Sequence, residues 1–234
     1  MAPDPTSRSG GIAFADLQRQ TIGRYRALLS SSSGSTFDAQ ALPAYTNPNP
    51  LMRWLFWERV RVVINELDQY ANMDTVLDFG CGMGTMLPYL DCRAQKVIAL
   101  DQDIRALEEV INRERWKRVH PTTDFGGVQR QYAGEVDLIL AMDVLEHVDD
   151  LDNVLQGFAR LLKPGGHLIV TGPTENIWYK MGRFLAQYSG DYHKTNIHVI
   201  RRAMEYHFRV DLVKTLVPVV PLFLVLRGGR KQVG

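Results

Sequence analysis

The chain has 234 residues, 45% of them hydrophobic, with 27 basic and 26 acidic side chains and a formal net charge of +1. That length suits one globular domain with an added cap, and the balanced charge gives nothing global in favour of a nucleic-acid partner. Two cysteines, Cys81 and Cys92, are too few for a disulfide framework, and MAPDPTSRSGG holds no apolar signal-like run, so the reading is a cytoplasmic protein.

Residues 1–11 read as a disordered tail, and FADLQRQTIGRYRALL (14–29) as a helix. SSSSGST (30–36) is a flexible joint and PAYTNPNP (43–50) a turn-rich stretch. LMRWLFWERVRVVINEL (51–67) reads as a second helix, with Leu51, Trp54, Leu55, Val62 and Val63 among its apolar positions. From residue 75 short strands alternate with helices: TVLDFG, then KVIALD (96–101), VDLILAMD (136–143) and HLIVTG (167–172). Continuous apolar runs mark strands covered on both faces, as in a parallel sheet. RERWKR (113–118) reads as a solvated helix end. LDNVLQGFARLL (151–162) sets Leu151, Val154, Leu155, Phe158 and Leu161 on one helical stripe, and KPGG (163–166) is expected to end that helix by C-cap chemistry. The pattern is a doubly wound α/β fold. LVPVVPLFLVL (216–226) is too short to span a bilayer and holds Pro218 and Pro221, which leaves contact with a membrane surface open.

VLDFGCGMG places Gly80, Gly82 and Gly84 directly after the first strand. Glycine permits positive φ and lets a ligand approach the backbone. The helix that follows offers unpaired N–H groups at the carboxyl edge of the sheet, where open α/β sheets bind ligands. Asp101 closes the second strand, placed to accept the ribose hydroxyls of a nucleoside; the plainer alternative is an N-cap for the next helix. The spacing is G-x-G-x-G rather than the dinucleotide G-x-G-x-x-G. Asp78 would repel a pyrophosphate and suits an ammonium. The charge pattern therefore favours S-adenosylmethionine over a nicotinamide dinucleotide.

Over residues 50–227 the motifs VLDFGCGMG, VIALDQD and VDLILAMDVLEHVDDLDNVLQGFARLLKPGGHLIV resemble those of the class I S-adenosylmethionine-dependent methyltransferases. AMDVLEHV and LLKPGG are most similar to the small-molecule branch that includes the ubiquinone- and menaquinone-pathway enzymes. NPLMRWL (49–55) resembles the NPLR stretch of the ubiquinone O-methyltransferases, with one extra residue before Arg53. The resemblance implies a mostly parallel, Rossmann-like seven-stranded sheet. It implies an N-terminal tail and cap over 1–50, a methyltransferase domain over 51–234 and an acceptor lid inserted at 173–200. It also implies that Gly80, Gly82 and Asp78 meet the donor's methionine portion and Asp101 its ribose. Gln102, Met142, Asp124 and Phe125 would lie around the adenosine, with Arg53 added from the NPLR-like stretch. Asp124 and Phe125 read equally as a turn residue and a core aromatic.

Methyl transfer needs a general base only when the acceptor must lose a proton. Asp143, Glu146 and His147 follow the fourth strand; His147 is the first candidate base and His193, in the insertion, the second. Trp178, Tyr179, Met181, Phe184 and Leu185 form an aromatic-rich helix that suits a lid over a small apolar or aromatic acceptor. Asp149, Asp150 and Asp152 are explained as helix N-terminal carboxylates, and no metal is expected. The remaining readings are a methyltransferase-like binding subunit without catalysis and, disfavoured by glycine spacing, a nicotinamide dehydrogenase.

Overall fold

The computed structural model describes residues 12–31, 45–70, 73–174, 195–216 and 222–231. Helices α1 (Phe14–Ser31) and α2 (Pro50–Leu67) come first. Four strand–helix pairs and a fifth strand follow: β1 (Met73–Phe79), α3 (Leu87–Arg93), β2 (Ala94–Leu100), α4 (Arg105–Glu114), β3 (Val119–Thr122), α5 (Phe125–Gln131), β4 (Val136–Met142), α6 (Leu151–Leu161) and β5 (Leu162–Pro173). The chain closes with α7 (Ile197–His207), β6 (Phe208–Leu216) and β7 (Phe223–Arg230). The strands lie in one seven-stranded sheet in the order β3-β2-β1-β4-β5-β7-β6. β1 to β5 run parallel, and β7 is antiparallel to both β5 and β6. The expected doubly wound, mostly parallel sheet is present.

The strands are apolar throughout because both faces are covered. Val76, Leu138 and Leu140 point into one cluster with Leu55, Val60 and Val63 of α2 and Leu87 and Leu90 of α3. Their neighbours Leu77, Ile139 and Ala141 point into the other, with Val128 of α5, Leu155, Phe158 and Leu161 of α6, and Ile200 and Met204 of α7. Successive strand side chains alternate between faces, so one run of sequence feeds both cores. α6 presents the stripe read from its spacing, and Asp150 caps it through Asn153 N–H at 3.2 Å.

One local expectation needs correction. KPGG does not cap α6: the helix ends at Leu161, Leu162 is already extended, and the four residues lie within β5. There the pairing jumps from Val136↔Leu162 to Leu138↔His167, a bulge in which Gly165 adopts φ +81°. Pro164 cannot donate to the ladder and disfavours helix at Lys163, so the chain leaves the helix early and buckles. On α2 the apolar positions do not all face the sheet. Leu51 and Trp54 stay 66% and 51% exposed, while the buried face carries Arg59 and Glu66 beside Leu55, Val60 and Val63. Glu66 accepts from Arg227 of β7 at 2.9 Å, and Arg227 also binds Asp211 of β6. Those charges anchor α2 to the antiparallel side of the sheet.

β1 and β4 are neighbours, with Phe79 paired to Ala141, and the connections leave them in opposite directions along the sheet. This is the switch point at which open α/β sheets hold ligands beyond their carboxyl ends.

Candidate active site

The loop after β1 is folded by its glycines. Gly80, Gly82 and Gly84 all have positive φ, at 72°, 51° and 78°. Gly80 and Cys81 donate their N–H groups to the Leu100 carbonyl at 2.7 and 3.1 Å, pinning the loop to the end of β2. A Cβ at Gly80 would stand 2.6 Å from Val144 Cβ, so this glycine is required by the chain following β4. At Gly82 a Cβ would meet nothing within 4 Å. Gly80 is thus a packing glycine, and Gly82 leaves an open cradle at the switch point.

Two carboxylates flank the cradle. Asp78, at 4% exposure, is pushed up to about 7, first by burial and then by the charge of Asp101. Its only resolved influences raise it, so it waits for a positive partner. Asp101 accepts from Gly82 N–H at 2.8 Å and Gln102 N–H at 2.7 Å. Those two bonds orient it and use part of a carboxylate's roughly four acceptor positions. Asp101 does not cap α4, whose N-cap is Ile104. An ammonium beside Asp78, hydroxyls on Asp101 and an open backbone at Gly82 are the complement that S-adenosylmethionine requires, so the residues present fit the donor.

The other wall comes from β4 and from the N-terminal helices. Met142 ends β4, and Asp143 follows with φ 52°. Thr171 of β5 donates its hydroxyl to Asp143 Oδ1 at 3.0 Å, and the Arg59 guanidinium of α2 forms an ion pair with Oδ2. Arg59 is 1% exposed; it lies over the rings of Phe56 and Phe223, each 4.8 Å from centroid to Cζ, and donates to Tyr45 Oη at 3.3 Å. Tyr25 of α1 shares a 2.5 Å hydrogen bond with Thr85 Oγ1, directly after Gly84. Burial pushes both tyrosine hydroxyls up, so both stay protonated near neutrality. Sequence reading missed Tyr25, Tyr45 and Arg59. Their signal lay in polar residues on otherwise apolar helix faces.

The remaining expected residues are placed as follows. His147 ends the short 3-10 turn Leu145–His147 after Asp143, on the reaction edge. Gln102 follows Asp101 and is exposed. Asp124 caps α5 through Gly127 N–H at 2.8 Å. Phe125 packs edge-on to Phe79 at 5.2 Å and Phe158 at 5.9 Å. Both the turn and core readings of these two residues are therefore realised, at the end of β3 beside the nucleoside edge. Arg53 donates to the Asn47 carbonyl at 2.7 Å and lines an outer cleft of about 460 Å³ with Phe14, Trp54 and Trp57, none of them from the glycine loop. The structure does not bring Arg53 to the cradle. His193, the rest of the 175–194 stretch and its aromatic helix lie outside the described residues.

A family model described as a methyltransferase domain matches residues 37–211. The ubiquinone biosynthesis O-methyltransferase of Acinetobacter baylyi is 25% identical over 151 residues, 56% of this chain and 62% of that protein. Its namesake from Cronobacter sakazakii is 32% identical over 108 residues, 43% of each. The chain thus aligns with roughly half the length of these curated relatives. In structure it is similar to the N-methyltransferase NodS of Bradyrhizobium japonicum in complex with S-adenosyl-L-homocysteine, at TM-score 0.58 and 19% identity, covering 93% of this chain and 100% of that one. The sheet order and the matched model agree: the chain belongs to the methyltransferase domain family.

Proposed function

We propose that the protein methylates a small apolar or aromatic acceptor, with oxygen the favoured atom. The observation that carries this reading is the aromatic cluster beside the switch point, where Phe56 and Phe223 lie against Arg59, Arg59 pairs with Asp143, and Tyr45 packs on Tyr25 and Phe56. An aromatic cluster suits a compact ring system better than a polymer or a protein tail. The ubiquinone-pathway relatives support oxygen as the acceptor atom. When bound, the donor supplies an electrophilic methyl on a sulfonium. The chain's own residues would orient and shield it: Asp101 would hold the ribose, Gly82 would lie against the methionine portion, Asp78 would face the ammonium, and the aromatic cluster would keep water out. Alignment of this kind contributes several kcal/mol.

His147 is the proposed base, taking the acceptor hydroxyl's proton at a ring nitrogen. Of the expected 173–200 insertion, Pro173 belongs to β5 and residues 197–200 to α7 on the far face, so in this reading only the stretch between those two elements is left to serve as an acceptor lid. Among the described residues no helix is long and apolar enough to cross a membrane, and both cysteines are free, which supports a cytoplasmic setting. Peripheral attachment stays a secondary reading, supported by exposed Leu51 and Trp54 on α2.

The test is transfer of labelled methyl from S-adenosylmethionine to panels of phenols, catechols and amines. Labelled phenol or catechol ethers support the reading. Products confined to amines overturn the oxygen assignment. Donor binding with no product across such panels and metabolite extracts favours a non-catalytic binding subunit.

A further inference from the structure

The outer cleft between α1 and α2 lies apart from the cradle: among the described residues neither the glycine loop nor Asp101 nor Asp143 lines it. Its volume of about 460 Å³ is that of a small-molecule pocket. Three aromatic side chains meet there. Phe14 of α1 stands edge-on to Trp57 of α2, with ring centroids 6.1 Å apart. Trp57 is buried, and its indole N–H is spent on the Tyr45 carbonyl at 3.2 Å. Trp54 stays half-exposed, a large apolar surface open to solvent.

Three charges line the same cleft. Both carboxylate oxygens of Glu58 accept from Arg61, at 2.8 and 2.5 Å, so that pair is closed on itself. Arg53 gives one Nη donor to the Asn47 carbonyl at 2.7 Å and has no acidic partner among the described residues. A guanidinium carries five N–H donors in a planar fork, so most of this one stays open. The cleft therefore sets one uncompensated positive charge beside exposed indole surface. The complement is a flat ring bearing a single negative charge, because indole faces stack on rings and the fork matches a carboxylate. A phosphate monoester carries roughly two negative charges near neutrality and would leave one unanswered beside Glu58.

We propose that the α1–α2 cleft is a second ligand site, which takes a small planar aryl carboxylate, its ring against Trp54 and Trp57 and its carboxylate on Arg53. Trp57 bonds the same Tyr45 that accepts from Arg59, so the occupant braces α1 and α2 behind the aromatic cluster at the donor edge. The site is separate from the acceptor site and does not depend on it.

Titration calorimetry compares naphthoate with naphthamide, which has the same rings and no charge, and with adenosine monophosphate. Wild-type protein should bind naphthoate on the order of tenfold more tightly than either. Arg53→Gln should erase the preference for the acid over the amide. Trp54→Ala should weaken acid and amide together, by about three- to tenfold. Neither side chain is buried, and circular dichroism confirms that both variants fold. Saturating S-adenosylhomocysteine should leave naphthoate bound. No saturable binding of naphthoate to wild-type protein below about 1 mM overturns the proposal. So does equal affinity for acid and amide, tighter binding of the nucleotide, or a preference that survives Arg53→Gln. Binding that S-adenosylhomocysteine displaces, or that Trp54→Ala leaves unchanged, belongs to another pocket and overturns it too. Sedimentation with phosphatidylglycerol vesicles that Trp54→Ala abolishes, in a protein that does not bind naphthoate, makes the occupant a bilayer surface instead.

Discussion

At the scale of single residues the donor site divides into groups that fold the loop and groups that wait for a ligand. Asp78 belongs to the second kind. Its folded value near 7 stands above the unfolded value of about 3.9, so the folded protein holds the extra proton between those limits. The stability this provides is complete below about pH 4 and is lost as pH rises through about 7. Asp78→Asn should therefore raise the melting temperature at pH 8. Donor binding has the opposite sign, because the ammonium prefers the ionised carboxyl. S-adenosylhomocysteine affinity should rise with pH and level off above about 7 in wild type, and lose that slope in Asp78→Asn; calorimetry across pH 5.5–8.5 reads both. A flat wild-type profile would remove Asp78 from the site. The glycines separate in the same way. Gly80→Ala drives a Cβ into Val144 and should chiefly destabilise the fold. Gly82→Ala meets open space, so its left-handed backbone should cost only about 1–2 kcal/mol of stability while the new methyl blocks the cradle and donor binding. Denaturation and calorimetry on the same two proteins check this split. Asp78, Asp101 and the glycines were legible because one strand–loop–helix unit carries their meaning in its spacing. Tyr25 and Arg59 were not. Each lies on a helix whose apolar rhythm says only which face is buried, not which loop the face will meet.

At the scale of elements, α2 is held by charge as much as by apolar packing. Arg59 and Glu66 both lie on its buried face and reach opposite parts of the sheet, Asp143 after β4 and Arg227 on β7. The buried polar residues, not apolar positions such as Leu51 and Trp54, therefore define the inner face. Asp143 keeps a left-handed φ without glycine's freedom, a conformation that persists when the surroundings over-determine it. Thr171 and Arg59 are those surroundings. Arg59→Met leaves a carboxylate facing two phenylalanine rings and should cost about 3–5 kcal/mol in urea denaturation. Pairing it with Asp143→Asn should recover much of that loss, since the stranded charge is gone. A double variant no more stable than Arg59→Met would mean that the guanidinium acts through its packing on Phe56 and Phe223 rather than through the ion pair. The bulge in β5 shows the same limit of local reading. KPGG carries every sign of a helix stop, yet the strand pairing with β4 absorbs it.

At the scale of the whole molecule, the sheet divides the core into two clusters, and the N-terminal helices belong entirely to one of them. α1 and α2 meet the donor edge through Tyr25–Thr85, Tyr45–Arg59 and Arg59–Asp143, while α5, α6 and α7 pack on the far face. A ligand held by the loop would therefore couple to the cap through Tyr25–Thr85, with the far face outside that coupling. Binding at 100 times the dissociation constant should stabilise the folded state by about 2.7 kcal/mol, as for any ligand exclusive to it. The distribution of that gain is the informative quantity. Local opening of the cap is cheaper than global unfolding wherever buried contacts are few. Amide hydrogen exchange with S-adenosylhomocysteine should show added protection in residues 80–86, 101–103 and along α1, with α6 and α7 gaining only what global stabilisation confers. Protection confined to the loop would mean that α1 is a static wall. Protection that spreads evenly over both faces would mean that cap and sheet open only together, as one cooperative unit.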